Sequence, residues 1–149
     1  QTALQSRLSK YPRYRVLSPQ TLTLAELQKT LQPGEAYYQL RLVGQDAYAV
    51  FATPERSRAV RLDATAATLG EAVAKLRDTI VRDDKGELVT APFDVARARA
   101  LYRTLFDPLG ADALTGVDHL VFEPDGPLLQ LPVTLLVAEQ GGVDSYLQR

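Results

Sequence analysis

The chain contains no cysteine, no methionine and no tryptophan, and its single histidine is His119. Without cysteine it has no disulfide, no thiolate metal site and no cysteine nucleophile of its own. One histidine and no cysteine exclude the usual zinc ligand sets. No Gly-x-Ser-x-Gly elbow occurs, so a serine nucleophile has no recognisable seat. The glycine-rich loops that cradle phosphates are missing as well, and no cofactor or metal is expected. Nor is there an excess of one charge. Seventeen basic and eighteen acidic side chains leave a formal net charge of -1, whereas a duplex-binding surface needs a concentrated basic patch. No run approaches the roughly 20 continuous apolar residues of a membrane helix, and no export signal opens the chain. Neither nucleic acid nor membrane is therefore an expected partner, and the cytoplasm is the expected location. With Gln1 first and no methionine, the chain is expected to be a segment of something longer.

What is present is an ordinary globular composition: 149 residues, 46% hydrophobic and 23% charged, enough for one domain with a core. Leu4, Leu8 and Tyr11 share one helical face before Pro12, so residues 1–10 read as the tail of a helix within a linker, 1–22. Thr23 and Glu26 have capping-box spacing and open a short helix with Leu24, Leu27 and Leu31 as its stripe, ended by Pro33-Gly34. The period then changes to two. Tyr38, Leu40 and Leu42 alternate with Gln39 and Arg41, Tyr48 and Val50 alternate with Ala49 and Phe51, and residues 59–62 follow a turn. These predict a three-stranded antiparallel meander.

Leu69, Val73, Leu76 and Ile80 mark an amphipathic helix, and Val95, Ala98, Tyr102 and Leu105 a second, closed by Asp107-Pro108. Between them Arg82 to Glu87 reads as a polar hinge. Leu120-Val121-Phe122 is continuously apolar, as in a central parallel strand covered on both faces. Glu123 to Pro127 is a tight turn, Gly141-Gly142 a loop, and Tyr146-Leu147 the start of another strand. The predicted class is α/β with a sheet that looks unfinished.

Chemistry is harder to find. His119 beside Asp118 reads as a partly buried histidine with a hydrogen-bond partner, since no nucleophile accompanies it. Asp83, Asp84 and Glu87 lack calcium-loop spacing and read as part of the solvated hinge. Arg97, Arg99 and Arg103, near Arg82, read as a solvated helix face with local ion pairs. The residues alone describe an α/β fragment without a reactive centre.

At Glu123-Pro124-Asp125-Gly126-Pro127-Leu128-Leu129-Gln130-Leu131-Pro132, followed by Leu135-Leu136, the chain resembles the strand-turn motif of CHAT domains, which separases share in similar form. Leu31-Gln32-Pro33-Gly34-Glu35-Ala36 resembles the entry to the CHAT meander, and Ala100-Leu101-Tyr102-Arg103-Thr104-Leu105 the helix before the central strand. The motifs fall in order and cover the chain from about residue 24 to its end. The resemblance implies a caspase-hemoglobinase-like α/β fold, incomplete here. It makes residues 1–22 a linker helix at the end of a TPR region and residues 23–149 the N-terminal part of the domain. It also implies a cysteine peptidase whose histidine and cysteine lie downstream of the Pro-Asp-Gly turn. His119 precedes that turn and does not match the catalytic histidine, so no catalytic residue carries over. In caspase-like folds the loop after the central strand shapes the pocket for the substrate's P1 side chain, which makes Asp125 and Glu123 substrate-pocket candidates; Asp125 serving only the turn is the competing reading. The implied partners are the C-terminal half of the same domain, or a second copy associating through Leu120 to Phe122, and a protein or peptide substrate of the parent. A non-catalytic interaction or regulatory module of a TPR-CHAT protein is the alternative.

Overall fold

The computed structural model describes residues 22–80, 82–84, 87–89 and 92–147. The helix expected over residues 1–10 lies outside them, as do the side chains of Arg82, Asp83, Asp84 and Glu87.

Helix α1 (Leu24–Thr30) begins with the expected capping box: Glu26 N donates to Thr23 Oγ1 at 3.3 Å, and Thr23 N donates to Glu26 Oε2 at 2.9 Å. Its stripe is only partly used, with Leu24 exposed and Leu27 and Leu31 half-buried. Strands β1 (Glu35–Val43), β2 (Asp46–Ala52) and β3 (Ser57–Thr65) form the antiparallel meander, with Tyr38 opposite Phe51 and Leu40 opposite Ala49. Alternation decides which face is buried: Ala36, Tyr38 and Leu40 of β1, Ala47, Ala49 and Phe51 of β2 and Leu62 of β3 form one wall of the core.

Helix α2 (Ala66–Ile80) closes that wall with Leu69, Val73 and Leu76. Helix α3 (Val95–Phe106) adds Ala98, Leu101 and Leu105, and Asp94 caps its start by accepting from Arg97 N at 2.9 Å. The Tyr38 ring lies between Phe106 and Phe122, with centroids 5.0 and 5.2 Å away. Its buried hydroxyl donates to Leu105 O at 2.9 Å, so the largest polar group of the core is satisfied.

The hinge expected between the helices is instead a hairpin of strand β4 (Arg82–Asp84) with β5 (Glu87–Val89). A three-residue strand is too short to show a hydrophobic period.

Strand β6 (His119–Glu123) pairs with β1 in parallel, Ala36 opposite Leu120 and Tyr38 opposite Phe122. The order is β3-β2-β1-β6, a four-stranded sheet. A parallel neighbour requires a long crossover, which α2 and α3 provide. The mixed α/β architecture is compatible with an incomplete caspase-like fold. One detail differs: β6 is not covered on both faces but is an edge strand among the described residues, with Val121 43% exposed and Leu120 and Phe122 half-buried.

Beyond β6 the chain makes two 3-10 turns, Gly126–Gln130 and Val133–Leu135. The loop and strand expected at residues 141–147 are one helix, α4 (Gln140–Leu147). Glycine is a poor helix former, but tertiary contacts prevail: Val143 is buried, and Arg99 of α3 donates to Gln140 Oε1 at 3.0 Å and to Ala138 O at 2.6 Å. No helix among the described residues is long and apolar enough to cross a membrane.

Candidate functional site at the carboxyl end of the parallel strands

In open α/β sheets ligands bind beyond the carboxyl ends of the strands. For the parallel pair β1 and β6 that edge lies around Val43, Glu123 and the turn after it. Glu123, opposite Gln39 in the register, points to the sheet face away from the core. Alternation puts Tyr37, Gln39 and Arg41 on the same face, and all three converge on its carboxylate. The Tyr37 hydroxyl donates to Oε2, Gln39 Nε2 donates to Oε1 at 2.9 Å, and Arg41 Nη2 lies 3.5 Å from Oε1. The hydrogen bonds from Tyr37 and then Gln39 hold the Glu123 carboxyl below its ordinary range. The Tyr37 phenol is pushed up to about 12, first by burial and then by its bond to Glu123. A carboxylate with two hydrogen-bond donors and a guanidinium beside it is an oriented, charge-compensated group.

Asp125 does something different. Its Oδ2 accepts from Leu42 N at 3.0 Å and its Oδ1 from Gly126 N at 2.8 Å. Both backbone bonds, Leu42 first, hold its carboxyl below the usual range. The side chain thus caps the 3-10 turn Gly126–Gln130 and ties the exit of β6 to the end of β1. Gly126 is needed in the same place. Its φ is 54°, and a Cβ there would sit 2.5 Å from Leu42 Cδ1. The Pro-Asp-Gly turn is therefore a clamp between two strands, joining residues 83 positions apart in sequence. Behind it, an open groove of about 800 Å³ runs between α2 and the 3-10 turns, lined by Val73, Arg77, Pro127, Leu131 and Leu135 among others.

His119 sits at the other end of β6 and is exposed, not partly buried. Backbone bonds tie this end to the entry of β1: Asp118 N and His119 N both donate to Gly34 O, at 2.8 and 3.1 Å. The α3 arginines make the expected local pairs, Arg97 with Asp94 at 3.1 Å and Arg103 with Asp107 at 2.9 Å. Sequence reasoning placed Gln39 and Arg41 on the polar face of β1 but did not join them to Glu123, and it missed Tyr37 in this role. The signal was the period-two pattern, which becomes a cluster only once β6 is set beside β1.

These observations define an α/β domain built around a clamped parallel strand pair. Residues 95–149, from the start of α3 through β6, the clamp and α4, match the family described as the CHAT domain. That segment is thus similar to the CHAT domain, in agreement with the resemblance of its Pro-Asp-Gly turn. No curated protein and no solved structure matches the chain.

Proposed function

We propose that this chain is the amino-terminal scaffold of a CHAT-type, caspase-like cysteine peptidase domain whose His/Cys dyad is carried on strands that follow β6 in the complete domain. The observation that carries the reading is the parallel β1–β6 pair, clamped by Asp125 at its carboxyl edge and bare along the second edge of β6 among the described residues. The CHAT match over residues 95–149 covers that same strand and clamp. A parallel strand is stable when both its neighbours are present, so the natural complement of β6 is a further strand of the same domain.

In this reading the chain supplies no reacting group. It supplies a wall of the substrate cleft. Glu123, at the end of β6 and oriented by Tyr37, Gln39 and Arg41, is the acidic group on that wall, and Asp125 positions the turn that follows it. The expected compartment is the cytoplasm. The test is to combine the chain with the polypeptide encoded after it and to assay a fluorogenic peptide library. Thiol-dependent cleavage by the combination, and by neither part alone, supports the proposal. An assembled domain without thiol-dependent cleavage overturns it in favour of a non-catalytic interaction module.

A further inference from the structure

Helix α1 stands apart from the core. Leu24, Leu27 and Leu31 share one of its faces, yet none of them belongs to the buried cluster or to the half-buried residues packed against it. Leu24 is 43% exposed, and Leu22 just before it 57%. The helix is tied by its own capping box and by one bond from Gln28 Nε2 to Thr53 O at 2.9 Å. Its seven residues fall well short of the roughly 12–15 at which an isolated helix becomes even marginally stable in water. Short helices draw their stability from the packing of an amphipathic face, and this face is not packed on the core.

The chain carries a matching face of its own. Leu4, Leu8 and Tyr11 lie at helical spacing. The steps of four and then three residues forward from Leu4 equal those of four and then three back from Leu31. One antiparallel register therefore sets Leu4 against Leu31, Leu8 against Leu27 and Tyr11 against Leu24. Each stripe covers about 10 Å of helix. Residues 12–23 connect the two and can reach about 40 Å, several times the roughly 8–10 Å between packed helix axes. Charge favours the same contact. Residues 1–21 carry Arg7, Lys10, Arg13 and Arg15 and no acidic side chain, a charge of +4; with a total of -1, the rest of the chain carries -5. Opposite net charges draw segment and domain together. The tether also holds the segment at an effective concentration on the order of millimolar, which favours its own chain over a second copy.

We infer that residues 1–11 dock as an antiparallel helix on the Leu24, Leu27 and Leu31 face of α1, making a helical hairpin that leads into β1. The contact involves neither Glu123 nor the edge of β6, so its failure leaves the peptidase reading standing.

The chain has no cysteine, so paired substitutions in the whole chain report the contact directly. A disulfide needs Cα atoms within about 7 Å of each other. Leu4→Cys with Leu31→Cys, and separately Tyr11→Cys with Leu24→Cys, should each close an intramolecular disulfide under mild oxidation, read by mass and gel mobility. The crossed pairs, Leu4→Cys with Leu24→Cys and Tyr11→Cys with Leu31→Cys, are about 10 Å out of step along the helix and should stay reduced. Leu8→Asp, which lies outside α1, should speed amide exchange over residues 27–30 roughly tenfold or more and leave exchange in β2 as it was. Matched pairs that stay reduced, crossed pairs that oxidise as readily, or disulfides that join two chains would overturn the inference. So would a Leu8→Asp chain whose α1 exchanges like the parent's.

Discussion

Asp125 and Glu123 stand two residues apart, yet their surroundings give them different work. Asp125 faces backbone amides, and its removal loosens a turn; Glu123 faces side chains, and its removal frees Tyr37, Gln39 and Arg41. Both carboxyl groups are held below their ordinary range in the folded chain. A depressed carboxyl pKa stabilises the fold above the unfolded value, and that contribution is lost as pH falls through the folded value. Glu123→Gln and Asp125→Asn should therefore melt below the parent at pH 7. The difference should narrow as pH falls below about 4, the ordinary carboxylate range. Thermal melts across pH 7 to 3 check this; a constant difference would place the effect outside the carboxylates. Tyr37 has the opposite sign. Its raised pKa favours the neutral phenol, so its contribution is present below about 10, the ordinary tyrosine value, and fades as pH rises to about 12. At the next position, Gly126→Ala combines a left-handed φ with a Cβ against Leu42. A loss of about 1–2 kcal/mol in denaturant unfolding is expected.

Among the elements, the meander and the two long helices were legible because one face of each is buried and the buried residues keep the period of the backbone. Thr23 and Glu26 announced α1 by a local hydrogen-bond pattern that needs no tertiary partner. The hairpin of β4 and β5 was not legible, since strands of three residues are too short to show a period. Helix α4 was hidden by Gly141-Gly142, whose propensity is overridden by the contacts of Arg99 and Val143. A Cβ at Gly141 meets nothing within 4 Å, so Gly141→Ala should stabilise α4 by about 0.5–1 kcal/mol, visible as slower amide exchange over residues 143–146. The cluster around Glu123 escaped sequence reading for a different reason. Its members are 82 to 86 residues from Glu123 along the chain, and only the strand register brings them together. In the core, Tyr38→Phe removes the hydroxyl that satisfies Leu105 O. The expected cost is about 1–2 kcal/mol, read from denaturant melts.

On the scale of the whole molecule, the core lies on one side of a four-stranded sheet, between it and α2 and α3. The other side carries Tyr37, Gln39, Arg41 and Glu123 together with exposed Val121. Apolar runs such as Leu120 to Phe122 read as fully covered strands when taken alone, and here that coverage is only partial. The clamp at Asp125 and Gly126 ties the carboxyl end of β6 to β1, and the second edge of β6 is bare among the described residues. The account therefore turns on what completes β6. Amide hydrogen exchange at Leu120, Val121 and Phe122, followed in the chain alone and after addition of the polypeptide encoded downstream, measures that. The account predicts marked slowing at these three amides on addition. Exchange that stays as fast with the downstream polypeptide as without it would contradict the account.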